Sequence, residues 1–119
     1  MSIPAHELGH AGEEAALRHL LANGYELVHR NYRYRRAEVD LVMRLGQELL
    51  VIVEVKARSS SQYGYPEEFV TERKRQLLRL AAEQLQEELH WTGDLRFDVI
   101  ALAPVSNGLQ LEHFQDAFW

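Results

Sequence analysis

The stretch from Leu49 to Val55 reads Leu-Leu-Val-Ile-Val-Glu-Val, a run dominated by Val, Ile and Leu. Such a run predicts a central strand buried on both faces, because a half-solvated strand would alternate apolar with polar side chains. The remaining patterns are arranged around it. Ala16, Leu17, Leu20 and Leu21 have helical spacing, predicting a helix from about Ala5 to Asn23 that stops at Asn23-Gly24. Tyr25 to His29 reads as a short strand, and Ala37 to Met43 alternates charged with apolar residues before a hairpin turn at Gly46-Gln47. After a Ser59-Ser60-Ser61 loop, Pro66 and Thr71 lead into a second helix to about His90. Val70, Leu77, Leu78, Ala81, Leu85 and Leu89 lie on one stripe of it. Arg96 to Ala103 and Leu109 to His113 read as strands around an Asn107-Gly108 turn. The order is helix, three strands, helix, two strands, which is an α/β chain with a mixed sheet. At 119 residues it is expected to form one domain, 1–119.

Composition removes several classes. There is no cysteine, which excludes disulfides, thiol chemistry and Cys-ligated metal sites. No apolar run approaches the roughly 18 residues of a membrane span, so a soluble, cytoplasmic protein is expected. A formal charge of −5 argues at first against a nucleic-acid partner. The charge is unevenly spread, however. Residues 1–29 carry four Glu against one Arg and residues 80–119 carry seven acids against one Arg, whereas residues 30–79 hold eleven basic and seven acidic residues. The acidity belongs to the two ends and the middle is basic.

The central hairpin carries the strongest chemistry. With its turn centred near Gln47, antiparallel pairing sets Asp40 opposite Glu54 and Glu38 opposite Lys56, all on one face. Opposed residues have Cβ atoms about 5 Å apart. Two carboxylates that close repel unless a cation lies between them. Magnesium needs one or two protein carboxylates when phosphate and water complete its shell. Lys56, two residues beyond Glu54, is placed to orient or deprotonate an attacking water and to meet a phosphate. Two further charges fall on apolar stripes: Glu13 shares the buried stripe of the first helix, and Lys74 that of the second. An inward carboxylate wants a metal, a water or a basic partner, and a long lysine is able to snorkel.

These residues carry a resemblance. Gly12-Glu13 with Ala16, Asn31, Glu38-Val39-Asp40-Leu41, Val53-Glu54-Val55-Lys56 with Arg58, Lys74 and Arg96-Phe97-Asp98 look like the YraN-type family of uncharacterised bacterial proteins, over nearly the whole chain. That family resembles the PD-(D/E)XK nuclease superfamily, which includes archaeal Holliday junction resolvases. The resemblance implies a restriction endonuclease-like, three-layer α/β fold of order αβββαββ. It further implies that Asp40 and Glu54 ligate Mg²⁺ or Mn²⁺, that Lys56 is the catalytic lysine, and that Glu13 supports the metal or its water, with Glu38 beside them. Two positions depart from the pattern: Ala37 stands where the family usually has Gly, and Val39, not Pro, precedes Asp40.

The resulting expectation is metal-dependent hydrolysis of DNA phosphodiester bonds, on structured or branched DNA. Arg33, Arg35, Arg36, Arg58, Lys74 and Arg75 would contact phosphates, and Tyr32 or Tyr34 would stack on an unpaired base. The rival is a silent nucleic-acid-binding or assembly module on the same fold, which would bind DNA equally in EDTA. The oligomeric state is left open, a homodimer included. His6-Glu7-Leu8-Gly9-His10 also matches HExxH, but the extended zinc-protease pattern wants Gly and His where this chain has Glu13 and Ala16. His19, His29, His90 and His113 show no ligand spacing.

Overall fold

The computed structural model describes residues 5–58 and 70–119, with no side-chain detail at residues 5 and 6. The loop predicted at Ser59-Ser60-Ser61, the lead-in at Pro66 and the His6 side chain lie outside the described residues. The elements are α1 (Ala5–Ala22), β1 (Glu26–Tyr34), β2 (Ala37–Leu45), β3 (Leu49–Ala57), α2 (Glu72–Glu88), β4 (Asp94–Val105) and β5 (Gly108–Phe114). Their order is the αβββαββ of the sequence reading. The strands form one mixed sheet in the order β1-β2-β3-β4-β5, antiparallel throughout except for the parallel pair β3 and β4. Parallel neighbours cannot be joined by a tight turn, so the connection between them carries α2.

The two helices cover opposite faces of the sheet, giving three layers. Ala16, Leu17 and Leu20 of α1 pack on Leu41, Met43, Val51, Val53, Ile100 and Leu102. Leu78, Ala81, Ala82 and Leu85 of α2 pack on Val42, Leu50, Ile52, Phe97 and Val99. Residues 50–53 of β3 are all fully buried, alternating between the two cores, as a strand covered on both faces requires.

Differences from the sequence reading have local causes. β1 runs five residues beyond His29, through the basic and aromatic stretch, because an edge strand tolerates exposed charge on its open side. Leu89, expected on the buried stripe, is 40% exposed. It caps α2, and the chain then turns away through His90 in the left-handed region at φ 51°. Ala82 takes its place in the core. The start of α2 is fixed by Thr71, whose Oγ1 accepts the Lys74 amide at 3.2 Å.

One irregularity positions the candidate site. Val39 packs in the α2-side core but Leu41 packs in the α1-side core, although residues two apart on a strand normally share a face. The alternation therefore breaks at Asp40. On the neighbouring strand, pairing passes from Arg30 opposite Leu41 to Tyr32 opposite Val39, and the skipped Asn31 has φ 51°. Asn side chains tolerate this left-handed conformation better than most.

Candidate active site

The β2–β3 register places Leu41 opposite Val53 and Leu45 opposite Leu49, a hairpin centred on Gln47. Beyond Leu41 the backbone ladder gives way to a side chain: Asp40 Oδ2 accepts the Val55 amide at 2.8 Å. This contact draws the Asp40 carboxylate against Glu54. Glu54 is almost wholly buried, and its pKa is pushed up to about 8 by that burial and by the hydrogen bond and negative charge of Asp40. Lys74 and Lys56 act in the opposite sense. Lys74 Nζ stands 3.3 Å from Glu54 Oε2, yet that buried oxygen has no partner with hydrogen-bond geometry. Glu54 continues the α2-side series of Leu50 and Ile52, and Lys56 follows it at period two.

Glu13 approaches from α1. Its Oε1 is buried without a hydrogen-bond partner, and its pKa is raised by burial, then by Asp40 and further by Glu38, against the pull of Arg30 and His10. Gly12 permits this approach. A Cβ there would lie 3.3 Å from Ala57 Cβ and 3.6 Å from Leu102 Cδ1, so the helix rests directly on the α1 side of β3 and β4. Glu14, one residue on, turns outward to Arg30 at 2.6 Å.

Whether these groups suit a divalent cation is decided by the donor set. Among the described residues no three carboxylates or imidazoles converge closely enough to enclose an ion by themselves. Two adjoining carboxylates with buried, unpartnered oxygens nearby suit magnesium or manganese, whose remaining positions water and phosphate fill. The residues present therefore fit such an ion.

The basic residues divide into two groups. Arg33, Arg35 and Arg36 are exposed at the β1–β2 turn, with Arg33 3.5 Å from Glu38 and Arg35 over the Tyr34 ring at 5.1 Å. Lys74 stands at Glu54, while Arg75 folds back on its own helix, donating to the Val70 carbonyl at 3.2 Å and lying 3.9 Å from Glu72. Arg58 is exposed just beyond β3, its amide donating to the Leu102 carbonyl at 2.7 Å. Tyr32 is buried with its hydroxyl donating to Glu88 at 3.0 Å, whereas Tyr34 is half-buried, packed against the α2-side core with the Arg35 guanidinium over its ring. Glu7 and His10 of the HExxH match are exposed on α1.

A second polar cluster has no counterpart in the sequence reading beyond the letters Arg96-Phe97-Asp98. Asp98, fully buried on the α1 side, accepts two hydrogen bonds from Arg96 at 2.8 Å, pairs with His113 Nε2 at 2.8 Å and accepts the Asp116 amide at 3.0 Å. Arg96 also donates to the Tyr25 hydroxyl, and His113 Nδ1 lies 3.2 Å from His19 Nε2. The cluster ties α1, β4, β5 and the chain end together.

Residues 12–102 match the family described as Uncharacterised protein family UPF0102. The chain belongs to that family. UPF0102 proteins of Prosthecochloris aestuarii and Christiangramia forsetii are each 41% identical to it, over 100% and 95% of this chain and 98% and 94% of theirs. One from Pelotomaculum thermopropionicum is 46% identical over 93% of this chain and 94% of its own. The matched span of the UPF0102 chain holds Glu13, Asp40, Glu54, Lys56, Lys74 and Asp98 and ends before His113. Among solved structures, SfsA of Pyrococcus furiosus in complex with Ca²⁺ aligns with a TM-score of 0.39 and 14% identity, over 91% of this chain and 62% of SfsA. No helix among the described residues is long and apolar enough to cross a membrane.

Proposed function

We propose that this UPF0102 chain is a Mg²⁺- or Mn²⁺-dependent endonuclease that hydrolyses DNA phosphodiester bonds. The observation that carries the reading is the buried Glu54 carboxylate, set against Asp40, with Lys74 Nζ 3.3 Å from an oxygen that makes no hydrogen bond and with Lys56 two residues on along the strand. Burying such a pair is costly to the fold, and a costly group is retained most economically where it serves a ligand. A divalent cation bound there supplies positive charge to a phosphate and makes water a better nucleophile at neutral pH.

The chain's own residues supply the rest. Asp40 and Glu54 present the oxygens that hold the cation, and Asp40 is kept in place by the Val55 amide. Lys56, on the same face as Glu54, orients the attacking water and takes up or returns its proton. Lys74, within 3.3 Å of Glu54, is positioned to neutralise a phosphate oxygen. Glu13, reaching in from α1, holds water at the edge of the site. Arg33, Arg35 and Arg36 attract the backbone of the strand, which reconciles the net acidity of the chain with an anionic substrate.

The test offers the purified chain duplex, single-stranded, flapped and branched DNA with Mg²⁺, Mn²⁺ or EDTA, alongside Asp40→Ala and Lys56→Ala. Metal-dependent cleavage abolished by both substitutions is expected. Cleavage that survives both sinks the site. DNA binding of equal strength with metal and with EDTA, and no cut product, identifies a silent binding module instead.

A further inference from the structure

The β1–β2 turn and α2 enclose a slot of about 220 Å³ lined by Tyr34, Arg35, Arg36, Ala37, Leu77 and Leu80. Its lining is unusual for a basic surface. Ala37 is buried, Leu77 is half-buried, and Leu80 is 46% exposed although the same helix buries Leu78, Ala81 and Ala82. An aromatic ring, with a guanidinium 5.1 Å over it, bounds the slot, and Arg36 adds a second cation. Arg35 holds φ 57°, a left-handed conformation that a β-branched or bulky residue rarely takes outside a tight turn. An apolar recess edged by a ring and guanidinium groups suits a flat, weakly polar group attached to an anion. A nucleobase on its sugar-phosphate meets that description, since every base has a face to stack and a phosphate beside it.

The slot lies close to the carboxylates. Ala37 is three residues before Asp40 on β2, about 10 Å along a strand. Leu77 is three residues after Lys74 on α2, a rise of about 4.5 Å. A strand whose phosphate met Lys74 and the Asp40–Glu54 pair would thus carry a nearby nucleotide past the slot. A paired base is locked inside its duplex and has no face to offer, so entry requires a base that is unpaired or turned out of the stack.

We propose that this slot receives an unpaired nucleobase of a DNA strand whose backbone runs to Asp40 and Glu54, so that the chain selects single-stranded or flapped DNA over continuous duplex. The assignment rests on the nuclease reading above and adds the substrate class to it. Charge complementarity selects this occupant: Arg35 and Arg36, both exposed, line the slot with cations that a hydrophobic protein partner would have to bury.

The test is made on the full chain in EDTA, so that binding is read apart from cutting. Thymidine oligonucleotides carrying one 2-aminopurine at successive positions are titrated, with a duplex of the same length as reference, against wild type, Leu80→Glu and Tyr34→Ala. Expected are tighter binding of the single strand than of the duplex and quenching of 2-aminopurine at one or two adjacent positions. Each variant should bind the single strand about tenfold more weakly and the duplex within about twofold of wild type. Leu80 is solvent-accessible, so Leu80→Glu carries the test if Tyr34→Ala unfolds. Unchanged single-strand affinity in the variants, or no quenching at any position, overturns the slot. So does a wild-type dimer that Leu80→Glu dissociates, since a second copy would then fill it. Cleavage accompanied by those results leaves the nuclease reading intact. Quenching without cleavage in Mg²⁺ or Mn²⁺ supports the slot and removes the nuclease.

Discussion

Asp40 Oδ2 accepts the Val55 amide at 2.8 Å, so a side chain of β2 takes the place at which the backbone ladder to β3 would otherwise continue. One carboxylate thereby does two things: it satisfies a strand amide and it is held against Glu54. These roles are separable by substitution. Asp40→Asn keeps an acceptor for the amide and loses the charge, whereas Asp40→Ala loses both. We expect the alanine variant to be less stable than the asparagine variant by about 1 kcal/mol in urea unfolding, the typical worth of one such hydrogen bond. Both should lack cleavage activity. Equal stabilities would mean that the Val55 contact contributes nothing to the fold.

On the proposed reading, Glu54 sets stability against cation binding. A buried carboxylate beside a second carboxylate destabilises the chain at every pH above its ordinary value, where the unfolded chain ionises it freely and the folded chain does so only at a cost. Glu54→Gln keeps the shape and removes the charge. In EDTA at pH 8 the variant should melt at a higher temperature than wild type, by roughly 1–2 kcal/mol of added stability. Added Mn²⁺ should raise the midpoint of wild type and leave the variant unmoved, because a ligand that binds the folded chain alone stabilises it by mass action. A Mn²⁺ shift of the same size in both proteins would place the cation elsewhere.

Most of this architecture is legible in residue patterns, and the parts that are not share a cause. The run from Leu49 to Val55 announces a strand covered twice, and turn position alone fixes the register as far as Leu41 opposite Val53, one step short of Asp40 and Glu54. Both are local inferences. The break in alternation at Asp40 is not, because it depends on how β1 and β2 accommodate Asn31, and no periodicity in β2 itself reports it. Glu38, expected on the face of Lys56, instead lies between Ala37 and Val39 of the α2-side core and so points to the other face. The Asp98 cluster is harder still. His113 lies opposite Ile100 in the β4–β5 register, which puts it diagonal to Asp98 on the same face, and His19 joins from a helix 94 residues earlier in the chain. Ligand-spacing rules for histidine see neither relationship. The available signal was Asp98 itself, an acid in a strand whose neighbours Phe97, Val99 and Ile100 are apolar.

Gly12 couples helix packing to the site. Its missing side chain lets α1 rest on Ala57 and Leu102, and Glu13 follows it in the chain. Gly12→Ala brings Cβ to 3.3 Å from Ala57 Cβ, a tight contact that a small shift relieves. Gly12→Val adds two methyl groups to that contact and must lift the helix, at a cost of about 1–3 kcal/mol. The expected result is a graded loss: near-normal cleavage in the alanine variant, and in the valine variant a rate reduced by about tenfold or more with the DNA affinity retained. Full activity in a folded Gly12→Val would show that Glu13 does not need this approach.

The Asp98 cluster predicts how the chain responds to acid. Burial alone would raise the Asp98 pKa, but hydrogen bonds from His113 and Arg96, then the Asp116 amide and the charge of Arg96, outweigh it and hold it below the ordinary 3.8. A carboxylate whose folded pKa is depressed releases its proton more readily in the folded chain than in the unfolded one. Its stabilisation is present in full above the ordinary value and is lost as the pH falls through the depressed one. Unfolding free energy should therefore fall steeply below about pH 4 in wild type. In Asp98→Asn that part of the acid limb should flatten. The same variant should be less stable at pH 7 by about 3–5 kcal/mol, because it strands a largely buried guanidinium at Arg96. Where the loss prevents folding, His113→Gln provides the measurement, since Arg96 still pairs with Asp98 and a smaller fraction of the acid limb should disappear. Urea titrations from pH 7 to pH 2 decide the matter, and acid limbs that superimpose in wild type and both variants would remove Asp98 from the account.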